Sequence, residues 1–188
     1  MLGPLDPLPH TPRRIAVAGV SGAGKSTLAR RLSRILQLPY TEMDALFHGP
    51  DWVPREAFAA DVDAFTRGDR WVTELSYTSQ QSFITERADT VVWLDLPYST
   101  VFRRVATRTV KRRMTRQELW NGNREGPLRH FFTDSGHVVR WSISTRHKLD
   151  DLGERLAREN PALQVVWLTS PREVEQFVVA AAQHRGER

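Results

Sequence analysis

The sequence predicts an α/β fold, a three-layer α/β/α domain in which a five-stranded parallel sheet is joined by crossover helices. Three observations predict it. Short apolar runs of strand length recur along the chain, amphipathic helical stretches separate most of them, and 188 residues at 40% hydrophobic and 26% charged content suit one ordinary core.

Each element has a local reason. Residues 1–13 carry four prolines and no apolar core before a cleavage site, which reads as an extended lead-in and not a signal peptide. The domain proper then spans 14–188. Ile15 to Ala18 form an apolar run closed by Gly19, the pattern of a buried parallel strand. From Ser26, Leu28, Leu32, Ile35 and Leu36 recur at helical spacing, and Pro39 ends the helix. Residues 39–44 read as a second strand. In 51–65, Phe58, Val62 and Phe65 share one helical face. Residues 70–75 and 90–97 read as the third and fourth strands, and 98–113 as a basic helix. Residues 121–137, rich in Gly, Asn and charge, form the centre of a lid spanning about 114–140. A helix over 141–159, a fifth strand over 163–168 and a closing helix from Pro171 complete the chain.

Composition excludes several classes of function. With no cysteine there is no disulfide, thiolate metal site or cysteine nucleophile, in keeping with a reducing cytoplasm. No apolar run approaches the roughly 20 residues a membrane helix needs. The net charge is +5, and only three of the 27 basic residues are lysine: Lys25, Lys111 and Lys148. Arginine suits phosphate recognition, while a GC-rich coding sequence explains the same bias without function.

Residues 19–27 read GVSGAGKST, the full phosphate-loop pattern between an expected strand and an expected helix. Gly19, Ser21, Gly22, Ala23 and Gly24 bring backbone N–H groups to phosphate oxygens at a helix N-terminus. Lys25 reaches the β- and γ-phosphates, Ser26 binds Mg²⁺ and Thr27 reaches the α-phosphate. The chain has no Asn-Lys-x-Asp signature of a GTPase switch. It is also short for a helicase or transporter ATPase. A small kinase with an acceptor pocket and a lid remains.

The loop, with MDALFHGPDW at 43–52, RWVTELSYTS at 70–79, DTVVWLDLP at 89–97, RRVATRTVKRR at 103–113 and WNGNRE at 120–125, resembles the nucleoside-monophosphate-kinase-like phosphate-loop kinases. Within that group it looks most like the bacterial topology-modulation, or adenylate-kinase-related, proteins. The resemblance covers about residues 14–170. It implies sheet order 2-3-1-4-5, ATP and Mg²⁺ as cofactors, and a small phosphoryl acceptor, with a nucleoside monophosphate among the candidates. It also implies that Glu42 and Asp44 handle Mg²⁺ and the acceptor, Asp44 being first choice for acceptor binding or proton abstraction. Strand alternation over 39–44 would point both carboxylates to one face. Glu74 is a further acceptor-side candidate, although this chain has Glu74-Leu75-Ser76 where the subgroup usually shows Asp-Gly-Asn. Asp95 is either a Mg²⁺-binding aspartate or a structural one.

Between 103 and 116 stand Arg103, Arg104, Arg108, Lys111, Arg112, Arg113 and Arg116, with no acidic residue among them. Arg104, Arg108 and Arg112 form one helical stripe whose mutual repulsion an anion would relieve. The resemblance makes Arg108 and Arg112 the catalytic pair, with Arg104 and Arg124 beside them. A nucleic-acid stripe is the less favoured reading, as part of a nucleic-acid-associated ATPase. The same stripe also suits a solvated basic face, and the phosphate loop also suits a non-catalytic nucleotide-binding regulator. Trp52 lies in the acceptor segment and could pack on a ring, while Trp120 and Trp141 read as core or hinge. His130, His137 and His147 lack metal spacing and read as lid or surface residues. Ser170-Pro171 resembles the stretch that borders adenine in the relatives.

Overall fold

The computed structural model describes residues 1–115, 118–123 and 151–186. Five parallel strands, β1 (Arg14–Gly19), β2 (Tyr40–Thr41), β3 (Trp71–Glu74), β4 (Thr90–Leu94) and β5 (Gln164–Leu168), lie in the order β2-β3-β1-β4-β5. Seven helices accompany them in the described residues: α1 (Lys25–Leu36), α2 (Met43–Phe47), α3 (Phe58–Thr66), α4 (Thr78–Arg87), α5 (Tyr98–Met114), α6 (Leu152–Glu159) and α7 (Pro171–Gly186). Two 3₁₀ turns stand at Pro50–Trp52 and Trp120–Gly122. The α/β class and the strand order are those expected.

Strand alternation divides the core. Ile15 and Val17 of β1 join Leu28, Leu32, Val101, Val105 and Phe177 on one face, so α1, α5 and α7 cover it. Ala16 and Ala18 join Met43, Val62, Trp71, Ile84 and Leu156 on the other, under α2, α3, α4 and α6. Because both faces are covered, β1 needs apolar residues at every position from Ile15 to Ala18.

Four elements differ from the sequence reading. The second strand is two residues long, because Met43 to Phe47 coil into α2 with Glu42 at the N-cap position. α1 closes at Gln37, whose left-handed conformation (φ 53°) ends the helix before Pro39 is reached. α3 starts at Phe58 and not at Asp51, since Asp51 and Trp52 both have positive φ. α4 carries no apolar stripe in the sequence: of its three buried side chains, Gln81 and Thr85 are polar and only Ile84 is apolar. The hydrophobic period that reveals a helix is therefore missing there. The expected lid and residues 141–150 of the expected helix over 141–159 lie, apart from 114–115 and 118–123, outside the described residues.

The lead-in is tied to the sheet. Leu2 N–H donates to the Val165 carbonyl at 2.8 Å, and the Leu2 carbonyl accepts from Trp167 N–H at 2.9 Å, which occupies the outer edge of β5. No helix among the described residues is long and apolar enough to cross a membrane.

Ion pairs join helices at the surface. Arg87 of α4 donates to the Asp63 carbonyl (3.1 Å), Thr66 Oγ1 (2.7 Å) and Asp63 Oδ1 (2.9 Å), so one side chain holds the end of α3. Hydrogen bonds from Arg67 and Arg87 hold the Asp63 carboxyl below its ordinary pKa, and Arg31 does the same for Glu175. Thr169 N–H lowers that of Glu173, whose partner Ser170 accepts from Glu173 N–H in a capping box at the start of α7. Carboxyls with depressed folded-state pKa stabilise the fold above the ordinary values of 3.8 and 4.5, and that contribution is lost as pH falls through the lower folded values. The thermal midpoint is expected to be flat from pH 7 to about pH 5 and to drop below about pH 4, and Asp63→Asn should flatten part of that drop. A midpoint independent of pH down to about 3 would contradict the assignment.

Candidate nucleotide and acceptor site

The phosphate loop joins β1 to α1 at the carboxyl end of the sheet. Its three glycines all have positive φ: 148° at Gly19, 87° at Gly22 and 105° at Gly24. Gly24 is the N-cap of α1, so the loop delivers its backbone N–H groups and the positive end of the helix to one place. Ala23, 1% exposed, anchors the loop in the core between β1 and α5. Lys25 Nζ donates to the Gly19 and Val20 carbonyls at 2.8 and 3.2 Å, which keeps the ammonium over the loop. Ser26 and Thr27 follow in the first turn of α1, where the phosphate-loop pattern requires them.

α5 packs directly on this loop. A Cβ at Gly22 would stand 2.3 Å from Val105 Cγ2 and 3.1 Å from the Val101 carbonyl oxygen, so only glycine admits the helix so close. The contact brings Arg104 to the loop, where Nη1 donates to the Ala23 carbonyl at 2.8 Å. Arg108 and Arg112 continue the stripe at four-residue spacing, half-buried, and the Arg112 guanidinium lies 5.9 Å from the Trp120 ring centre. Arg104, which the sequence reading places behind Arg108 and Arg112, thus contacts the loop backbone. Arg103 and Lys111 are exposed on another side of α5.

The candidate acceptor side is assembled by the loops after β2 and β3, next to the phosphate loop in the strand order. Val17 is level with Glu74 in the β1–β3 register, and Leu75 N–H donates to the Val17 carbonyl at 2.8 Å. Glu74 is 3% exposed. Its Oε1 accepts from Tyr40 hydroxyl and its Oε2 from Met43 N–H (3.1 Å), so the buried carboxylate caps the N-terminus of α2. Burial and the Glu74 charge raise the Tyr40 pKa above its ordinary value. Asp44, one residue into α2, accepts from Tyr77 hydroxyl at 2.7 Å, and that hydroxyl lies 3.4 Å from His48 Nε2. Burial, then the Asp44 carboxylate, raises the Tyr77 pKa in the same way.

Around this group lies an aromatic cluster. The Tyr77 ring is 4.3 Å from Phe47, and His48 contacts Trp52 edge-on at 5.0 Å and stacks with Trp120 at 5.9 Å. The two 3₁₀ turns are clasped by asparagines. Buried Asn123 accepts from Trp52 N–H at 2.9 Å and donates to the Gly49 carbonyl at 2.8 Å, while Asn121 donates to the His48 carbonyl. Trp52 is thereby held in the acceptor segment, and Trp120 sits between Arg112 and His48.

The expected metal-side carboxylates each have a protein partner. Glu42 is held by Arg30 through two 2.8 Å hydrogen bonds at the β2 edge. Asp95 is exposed beyond β4 and accepts from Trp167 Nε1 at 3.1 Å, on the side of β5. β3 and β1 lie between the strands that lead to Glu42 and Asp95. Asp44 follows α2 geometry, and its face is set by the helix and not by strand alternation with Glu42. Among the described residues no three His, Asp or Glu side chains group as a metal cluster. Ser170 and Pro171 are the cap and first residue of α7. Arg116, Arg124, His130, His137, Trp141 and His147 lie outside the described residues. Sequence reasoning missed Tyr77, His48 and Asn123; of these only Asn123, in Trp-Asn-Gly-Asn, carried a turn signal.

A glycine loop leading from the first strand to a helix, at the carboxyl edge of a sheet ordered β2-β3-β1-β4-β5, defines the phosphate-loop α/β class. Solved structures share the arrangement over nearly the whole chain. A gluconokinase from Sinorhizobium meliloti 1021 is 20% identical, with 95% of this chain and 96% of that one covered and a TM-score of 0.54. A shikimate kinase from Acinetobacter baumannii, in complex with shikimate, is 16% identical, with 93% of each chain covered and a TM-score of 0.53. A shikimate kinase from Bacteroides thetaiotaomicron is 16% identical, with 93% and 99% covered and a TM-score of 0.50. At these identities the likeness is one of fold. No protein-family model matches the sequence, and none of the curated proteins does.

The fit of α5 on the loop has a direct consequence. Gly22→Ala forces a Cβ into Val105 at a left-handed φ, and should cost about 1–3 kcal/mol of stability in a denaturant titration while weakening nucleotide binding. Unchanged stability and affinity would mean that loop and helix are not in contact.

Proposed function

We propose that the chain is a cytoplasmic, ATP- and Mg²⁺-dependent phosphotransferase that moves a γ-phosphoryl group to a small acceptor. The observation that carries this reading is the docking of an arginine-striped helix on a complete phosphate loop, with Arg104 bonded to the loop backbone. Phosphoryl transfer is catalysed chiefly by positioning and by neutralising charge on the migrating group. Lys25 from the loop and Arg108 and Arg112 from α5 supply that charge, with Arg104 holding the helix in register. Backbone N–H groups from Ser21 to Thr27 cradle the phosphates, and Asp44 orients the acceptor beside Trp52.

The donor set fits Mg²⁺. Ser26 offers a hard oxygen at the loop, and Mg²⁺ takes few protein ligands when phosphates and water complete its octahedron. It would neutralise charge on the β- and γ-phosphates. Glu42 and Asp95, which bond to Arg30 and Trp167, would reach the ion through its water shell. Glu74 acts through structure, by seating α2 and with it Asp44. The finer assignment, to the adenylate-kinase-related subgroup with a nucleoside monophosphate as one acceptor class, rests on the sequence resemblance. Alcohols of small sugars and hydroxy acids form the other class.

Lys25→Ala should abolish ADP formation while leaving the thermal midpoint within about 2 °C, because Lys25 is the half-buried first residue of α1, outside the core, and alanine suits a helix. Retained turnover would sink the proposal. Arg108→Ala should lower kcat by about 100-fold or more with a small change in ATP affinity, as expected of a group acting on developing charge. A screen of ADP release with sugars, hydroxy acids, nucleoside monophosphates and oligonucleotide ends names the acceptor. Turnover stimulated only by DNA or RNA would favour the nucleic-acid ATPase instead, and tight ATP binding without turnover would favour a regulator.

A further inference from the structure

The identity of the acceptor, given the kinase reading on which this inference rests, turns on Tyr77. This residue stands in a backbone conformation that a bulky residue rarely adopts, φ 58° and ψ 97°, immediately before α4. Such strain persists only where surrounding contacts over-determine it, and it gathers at functional sites. Here the contacts are specific: the ring packs on Phe47 at 4.3 Å and edge-on to Phe58 at 5.1 Å, and the hydroxyl meets Asp44 and His48. Glu74, three residues earlier, seats the helix that carries Asp44. Two loops from adjacent strands are therefore locked so that one phenol donates to one carboxylate oxygen, next to the phosphate loop in the strand order.

We propose that Tyr77 is a positioning residue that holds Asp44 as the proton acceptor for transfer, and that the acceptor group is an alcohol hydroxyl of a small molecule and not a phosphate monoester. Tyr77 hydroxyl engages Asp44 Oδ1, and the second oxygen is assigned to the incoming group. An alcohol must lose its proton as it reacts. Its oxygen forms the new bond to the γ-phosphorus, the bond from that phosphorus to the β–γ bridging oxygen breaks with its electron pair leaving on ADP, and the hydroxyl proton passes to Asp44. A phosphate monoester has no such need, because its attacking oxygen is already ionised, and a carboxylate at this position repels it. His48 stands beside this pair, with Trp52 and Trp120 against its ring.

Tyr77→Phe keeps the ring contacts and deletes only the hydroxyl, so thermal unfolding should be close to that of the wild type and serves as the check on folding. With sugars, polyols, hydroxy acids and nucleoside monophosphates as acceptors and full-length protein, the wild type should turn over an alcohol. Tyr77→Phe should then lower kcat by about 10- to 100-fold with KM for ATP within about twofold. Asp44→Asn should lower kcat further, and the double variant should be no slower than Asp44→Asn alone, since both changes remove one unit. Fastest turnover with a nucleoside monophosphate would overturn this proposal and leave the kinase reading standing. An unchanged kcat in Tyr77→Phe, or additive losses, would overturn the positioning role. No turnover with any acceptor, in protein that still binds ATP, would remove the kinase reading and this proposal together.

Discussion

The absence of a side chain at Gly22 is the constraint on which the site depends. Without that gap, Val101 and Val105 could not meet the loop, and α5 would stand off the sheet. With it, a helix whose buried face is built from Val101, Val105 and Thr109 presents Arg104 to the loop carbonyl and aligns Arg108 and Arg112 behind it. The positive φ of the three glycines thus does two jobs. It turns backbone N–H groups toward an anion, and it thins the loop enough for a cationic helix to approach the same anion from above.

The acceptor side rests on a different device, a buried charge satisfied by dipoles. Glu74 at the end of β3 is held by Tyr40 hydroxyl and the first N–H of α2, and neither donor carries a charge. A carboxylate at a helix N-terminus is stabilised by the helix dipole as well as by the bonds it accepts. This cap converts what would be a continuing strand into a short helix after Thr41. Asp44 then faces the loop after β3, where Tyr77 meets it. Trp120 lies between Arg112 on one side and His48 on the other. Asn123 secures that link by committing its whole amide to backbone groups of the acceptor segment and its own turn.

The parts legible in sequence were those governed by period and by local backbone demands. Apolar runs located β1, β3, β4 and β5, and the spacing of Leu28, Leu32 and Ile35 located α1. α4 escaped because Gln81 and Thr85 fill its inner face, so burial there is polar and leaves no stripe. The second strand was read too long because Glu42-Met43-Asp44 carries no helix signal of its own; the cap comes from Glu74, some thirty residues away in sequence. Glu42 and Asp95 have Arg30 and Trp167 as partners, which no local pattern reveals.

By itself the sequence determined the phosphate loop, the parallel α/β frame and the arginine stripe, because glycine torsions, strand burial and helical spacing are written in neighbouring residues. Only the tertiary structure decided that Arg104 bonds to the loop, that Glu74 is buried at the start of α2 and that Asp44 meets Tyr77. Those choices depend on contacts between segments tens of residues apart, and on a strained φ at Tyr77 that nothing in its own neighbourhood would select.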